Sequence, residues 1–168
     1  MSEPGYSLRS AGFADAESVF SLIQRHGDAL VPRSMGDIVQ NVDRFVVAES
    51  GGAVVGCASY AIHPEIGMPE GATVEVTSVA VEKPMRRNGI GGALVAEIVR
   101  RVSALRPKEV LALTFAPEFF ASLGFVEIPK TEVMHKLYTG CINCTKHANP
   151  FTCPEKAMAL KLPGGSRR

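Results

Sequence analysis

The segment Val79-Ala80-Val81-Glu82-Lys83-Pro84-Met85-Arg86-Arg87-Asn88-Gly89-Ile90-Gly91-Gly92-Ala93-Leu94 joins an apolar, β-branched run to an amphipathic helical pattern through a basic, glycine-rich turn. A turn that opens a helix points several unpaired backbone N–H groups at one spot, and the helix dipole adds partial positive charge there. Gly89, Gly91 and Gly92 let the backbone approach an anion without interference from a Cβ, while Arg86 and Arg87 add full charges. The group expected on this turn is a phosphate or pyrophosphate. The competing reading is that the glycines only tighten a strand–helix connection. Two familiar phosphate loops do not fit. No Gly-Lys-Ser/Thr follows, as a nucleoside-triphosphate loop requires. The spacing Gly-x-Gly-Gly, mid-chain and after a hairpin pattern, is wrong for a dinucleotide fold.

Periodicity places the elements around this turn. A helix is predicted from about Asp15 to Arg25, with Val19, Leu22 and Ile23 on one face. Ser34 is the N-cap candidate of a second helix: Asp37 stands three residues on, and Met35, Ile38, Val39 and Val42 recur at helical spacing. Phe45–Glu49 and Ala53–His63 read as a hairpin closed by Ser50-Gly51-Gly52. Pro64–Gly71, with two prolines and two glycines, reads as a loop before the long strand Thr73–Val81. Beyond the turn, Ile90–Leu105 is helical, Val110–Phe115 a buried strand, Pro117–Leu123 a short helix, and Gly124–Ile128 and Ala157–Leu162 are strands. From about 138 to 155 the pattern is irregular and rich in Cys. The fold class is α/β or α+β with a mixed sheet, and 168 residues fit one domain over 1–168.

Arg86-Arg87-Asn88-Gly89-Ile90-Gly91 resembles the acetyl-CoA loop of the GNAT N-acetyltransferases, Arg/Gln-x-x-Gly-x-Gly/Ala. The preceding strand Ser78–Val81 and the downstream Phe119-Phe120-x-x-x-Gly124-Phe125 match in the family's order, and the likeness runs from about Tyr6 to Ile128. The resemblance implies a mixed, mostly antiparallel central sheet flanked by helices, followed by the irregular Cys-rich segment. It implies direct transfer of an acetyl group from acetyl-CoA to an amine. Val79, Ala80, Val81, Arg86, Arg87, Asn88, Gly89, Ile90, Gly91, Gly92 and Phe120 would then contact the cosubstrate.

That chemistry has fixed requirements. The amine arrives protonated and must lose a proton, so a base or a water chain is needed. Glu75, mid-strand between Val74 and Val76, is the candidate base by resemblance; the alternative is a Glu on the solvent face of a half-buried sheet. The Val79 N–H is the implied oxyanion donor. The family's general acid is usually a Tyr on the short helix, where this chain has Phe120, so Tyr138 or a water is the candidate instead. A non-catalytic sensor of acyl-CoA is the rival reading of another class, and Phe120 is the residue that keeps it open.

Within the family the chain looks most like the short N-acetylglutamate synthases. The shared stretches are Val31-Pro32-Arg33-Ser34, Phe45-Val46-Val47-Ala48-Glu49, Leu113-Thr114 with Glu118-Phe119-Phe120, and Gly124-Phe125 leading to Lys136. This likeness implies acetylation of the α-amine of L-glutamate, in arginine biosynthesis. Another amino acid, a polyamine or a protein amine is the alternative acceptor. A dicarboxylate needs cationic partners, for which Arg33 and Lys136 are candidates. Thr114, ending a strand, is a further candidate that could equally just finish it.

Charge and cysteine content narrow the partners. Eighteen Lys+Arg against seventeen Asp+Glu leave a net charge of +1, with no broad basic footprint for nucleic acid or anionic membrane. No apolar run is long enough to span a bilayer, and Met1–Ser10 lacks a secretory apolar core, so a cytoplasmic protein is expected, with a homodimer as the candidate assembly. Cys141-x2-Cys144-x8-Cys153, with His147 between, offers a possible structural zinc set. Free thiols packing a loop, or a redox-sensitive pair, are the alternatives.

Overall fold

The computed structural model describes residues 5–65, 68–137, 141, 144 and 146–163, apart from the side chains of 68–70 and 135. Its strands are β1 Ser7–Ser10, β2 Val46–Ser50, β3 Ala53–Glu65, β4 Met68–Val81, β5 Val110–Thr114, β6 Val126–Ile128 and β7 Lys156–Leu160. They hydrogen-bond in the order β1-β2-β3-β4-β5-β7-β6. Pairs β1–β2, β2–β3, β5–β7 and β6–β7 are antiparallel, and β4–β5 is parallel. The helices are α1 Ala16–Arg25, α2 Met35–Gln40, α3 Ile90–Ser103, α4 Pro117–Ser122 and α5 Met134–Lys136. This is the mixed, mostly antiparallel sheet with flanking helices that the motifs imply.

Two compact units make up the chain, Met1–Tyr60 with Thr77–Ile98 and Ala61–Val76 with Val99–Arg168; β3 and β4 contribute to both. In the first unit, Val19, Leu22 and Ile23 of α1 are buried with Ile38, Phe45, Val47, Cys57 and Ala80. Each large apolar side chain removed from water there contributes about 1.5–3 kcal/mol. Ser34 caps α2 as expected, its hydroxyl accepting from the Asp37 N–H at 3.1 Å. Gly56 on β3 lets α3 approach: a Cβ there would stand 3.1 Å from Ile90 and Leu94 side chains and 3.2 Å from the Ala80 carbonyl. In the second unit, Leu111 of β5 packs with Val133, Leu137, Ala157 and Ala159.

Two features depart from the sequence expectations. β3 runs on to Glu65 and β4 begins at Met68, so most of the expected Pro64–Gly71 loop is strand. Proline lacks an N–H but is tolerated near strand ends and at unpaired positions, so the two prolines did not stop the ladder. β1 was not expected, because Ser-Leu-Arg-Ser is short and polar. It pairs with β2, and Arg9 fastens it, reaching Asp15 through both Nη atoms and Glu49 through Nε, all at 2.8 Å. The Arg9 bonds, helped by the Gly12 N–H, hold the Asp15 carboxyl below its ordinary range against the opposing effect of burial.

Candidate active site

The loop after β4 is built from backbone. A 3₁₀ turn spans Lys83–Met85, and Gly89, at φ +78°, precedes α3. The Gly89 carbonyl accepts from the Ala93 N–H at 3.0 Å, which leaves the first-turn N–H groups of Ile90, Gly91 and Gly92 without intrahelical acceptors. Arg87 sits at φ +67°, a conformation costing a non-glycine residue about 1–2 kcal/mol. Such strain concentrates at ligand loops. Arg86, Arg87, Asn88 and Gly89 are all exposed. Arg86 Nε donates to the Val81 carbonyl at 3.2 Å, and His26, which caps the end of α1, faces the same oxygen through Nε2 at 3.0 Å. Asn88 Nδ2 donates to the Met85 carbonyl at 3.3 Å. A cavity lined by Gly5, Tyr6, Met85 and Asn88 opens against the loop. Exposed main-chain donors, a helix N-terminus and two guanidinium groups fit a pyrophosphate such as that of CoA.

Ser78, just before this loop segment in β4, has φ +55°, which kinks the strand. Its hydroxyl accepts from Arg33 Nη1 at 3.2 Å, and its carbonyl accepts from the Cys57 thiol at 3.4 Å. Arg33 also donates through Nε to Asp37, and its guanidinium carbon lies 5.1 Å from the centre of the Phe45 ring. These contacts hold the Arg33 side chain, 18% exposed, beside Ser78. Burial pushes the Cys57 thiol up to about 12, so it is inert at neutral pH. Ala80 is buried, while Val79 and Val81 are half-buried.

In the second unit Glu75 is 7% exposed, on a strand segment whose Val74 and Val76 are buried as well. The solvent-face alternative for Glu75 is therefore wrong. His63 Nε2 lies 2.8 Å from Glu75 Oε2, and Lys136 Nζ lies 3.3 Å from Oε1. Lys136 Nζ also donates to Cys141 Sγ at 3.0 Å. Burial by itself would lower the Lys136 pKa, but the Glu75 charge and the Cys141 sulfur outweigh it, so Lys136 titrates above its ordinary value and is an ammonium at neutral pH. A carboxylate held by two donors keeps a fixed plane, with its remaining lone pairs aimed in constant directions. The sequence reasoning missed His63. The available signal was parity: His63 and Glu65 on β3, and Thr73, Glu75 and Thr77 on β4, put polar side chains at every second position.

The other candidates lie as follows. Thr114 ends β5, is buried, and its Oγ1 accepts from the Ala116 N–H at 2.9 Å, so it shapes the turn into α4. Phe120 is buried in an edge-to-face trio, its ring centre 5.1 Å from that of Phe119 and 5.2 Å from that of Phe125. Tyr138 lies outside the described residues. Among the described residues no three His, Cys, Asp or Glu side chains stand close enough to hold a metal ion, so the suggested zinc set is not assembled. Its members are engaged separately: Cys141 with Lys136, Cys153 Sγ 3.7 Å from Glu155, and the His147 ring 6.4 Å from that of Phe115. The segment is braced instead by the Lys130 ammonium, which donates to the carbonyls of Pro150 and Cys153. No helix among the described residues is long and apolar enough to cross a membrane.

Comparison with known proteins agrees with this geometry. Residues 41–127 match the model of the acetyltransferase (GNAT) domain family. An uncharacterised N-acetyltransferase of Chlorobaculum tepidum is 30% identical over 92% of this chain and 96% of its own length. An amino-acid acetyltransferase of Mycobacterium tuberculosis is 32% identical over 78% of this chain and 74% of its own. The crystal structure of Rv2747 from Mycobacterium tuberculosis, in complex with CoA and NLQ, superposes with a TM-score of 0.76 at 26% identity, covering 93% of this chain and 99% of that one. With its mixed sheet, its kinked β4 and the glycine loop that follows, the chain belongs to the GNAT family of acetyl-CoA-dependent N-acetyltransferases.

Proposed function

We propose that residues 1–168 act as one cytoplasmic acetyltransferase domain that transfers the acetyl group of acetyl-CoA to the α-amine of L-glutamate, in arginine biosynthesis. The observation that carries an anionic acceptor is the Arg33 guanidinium fixed on Ser78, the residue before Val79. A guanidinium suits a carboxylate because its N–H groups match both oxygens. The amino-acid acetyltransferase name of the Mycobacterium tuberculosis relative supports the same class of acceptor.

CoA supplies an acetyl group activated as a thioester. The loop of residues 86–92 binds its pyrophosphate, and Arg33 takes a carboxylate of the acceptor. Glu75 accepts a proton from the substrate ammonium through water, which breaks an N–H bond and frees the nitrogen lone pair. The amine adds to the thioester carbonyl, and the Val79 N–H donates to the oxygen as it gains charge. Collapse breaks the C–S bond, the nitrogen sheds its second proton as the amide forms, and that proton goes to the departing thiolate. A thiol pKa of about 8.5 makes that a competent leaving group without a strong acid, so Phe120 in the Tyr position is no obstacle.

Arg33→Ala tests the acceptor assignment. The acceptor KM is expected to rise about 10- to 100-fold, the loss of one charged hydrogen-bonding partner, with acetyl-CoA KM unchanged. Equal rises in both constants would remove Arg33 from the acceptor site.

A further inference from the structure

Glu75 as the base leaves one neighbour unexplained. His63 sits on β3 with 7% exposure, and an imidazole buried there needs a partner to offset its desolvation. Its Nε2 is 2.8 Å from Glu75 Oε2, closer than the Lys136 ammonium is to Oε1 at 3.3 Å. We propose that His63 is a positioning residue for catalysis: donating from Nε2, it holds Oε2 of Glu75 and so aims the lone pairs that take the substrate proton. The inference rests on the reading of Glu75 as the base.

Charge balance favours this arrangement. Glu75 on β4 is faced by His63 on β3 and by Lys136 on α5, which also donates to Cys141. The Lys136 ammonium offsets the charge of the Glu75 carboxylate. A neutral imidazole with its proton on Nε2 donates to Oε2 without adding a second cation. During the reaction the proton leaves the substrate nitrogen, passes through water and forms an O–H bond on Glu75, while His63 keeps its own. Lys136 contributes a fixed charge near neutral pH, since it titrates above its ordinary value.

The test compares His63→Ala and His63→Gln with the wild-type protein, reading kcat, the pH dependence of kcat/KM, and acetyl-CoA affinity by calorimetry. His63→Ala is expected to lower kcat about 100-fold, the usual penalty for a misaimed catalytic group, with acetyl-CoA affinity unchanged. His63→Gln, whose amide N–H still reaches Oε2 but does not titrate, is expected to recover about tenfold of that loss. Its acid limb is expected to move, because a neutral amide replaces the imidazole as the donor to Oε2. Wild-type kcat and pH profile in both variants would overturn the proposal, and so would a Gln variant no better than Ala. Should His63→Ala fail to fold, the acid limb of His63→Gln decides alone: unmoved, it overturns the proposal. Glu75→Gln separates the two layers. Wild-type turnover in Glu75→Gln would sink the base reading and this role with it, whereas an inactive Glu75→Gln beside a fully active His63→Ala would sink this role only.

Discussion

The glycine loop and the Glu75 cluster ask different things of the sequence. Between residues 86 and 92 the proposed binding groups are main-chain N–H groups, so the loop needs small side chains and a permissive backbone, as Gly89 at φ +78° illustrates. Glu75 works through side chains, and its environment comes from His63 on another strand and Lys136 on a short helix. A backbone site is written in one contiguous run of residues. A side-chain cluster is written in pieces that only the fold assembles. The loop should therefore fail when its support shifts or a Cβ intrudes, and the cluster when a charge or a donor is removed.

The largest expected effect is at the cluster. Glu75→Gln keeps the shape and removes the proposed base, and turnover should fall about 10²- to 10⁴-fold while acetyl-CoA affinity holds. A parallel loss of affinity and turnover would mean that Glu75 supports the fold and not the chemistry. Next comes the support of the loop. Gly56→Val would press on Ile90, Leu94 and the Ala80 carbonyl. It should cost about 1–3 kcal/mol in denaturant unfolding, and acetyl-CoA affinity should weaken with it, because Ile90 begins α3. Unchanged stability would mean that α3 shifts freely.

The smallest effect serves as a control, since the Arg9–Asp15–Glu49 network belongs to neither the loop nor the cluster. Asp15 titrates in the folded protein below its unfolded value. Its contribution is therefore complete above the unfolded pKa of about 3.9 and drains away as pH falls through the folded value. The gap in urea midpoint between wild type and Asp15→Asn should be constant from about pH 5 upward and shrink below about pH 4. A gap that widened in acid would reverse the assignment. Turnover at neutral pH should differ little.

This contrast explains what could be read before the structure. The loop was legible because glycines, arginines and a helix start are adjacent in sequence, and so was the Ser34 cap of α2, which needs only residues 34 and 37. The hairpin of β2 and β3 was legible through Ser50-Gly51-Gly52. β1 was not, because its stability comes from pairing with β2 and from Arg9, neither visible in four polar-leaning residues. Resemblance alone points to Glu75 as the candidate base, and its burial was not legible, since the same strand read as half-buried would place it in solvent. Charge alone marks Lys136 as a candidate acceptor ligand, and the fold also sets its Nζ 3.3 Å from Glu75 Oε1. The spacing of the three cysteines suggests a metal, but a CxxC turn specifies a site only if its other ligands converge, and among the described residues no three such side chains do.

Acetyl transfer to an anionic amino acid can be read out in a mass-spectrometric product screen. The purified protein would be incubated with acetyl-CoA and a panel of amino acids and polyamines, and N-acetylated products quantified without thiol reagents, which the protein's own cysteines would confuse. N-acetylglutamate as the dominant product is the predicted result. A polyamine or other cationic amine as the preferred acceptor would contradict it, as would measurable acetyl-CoA binding with no acetylated product.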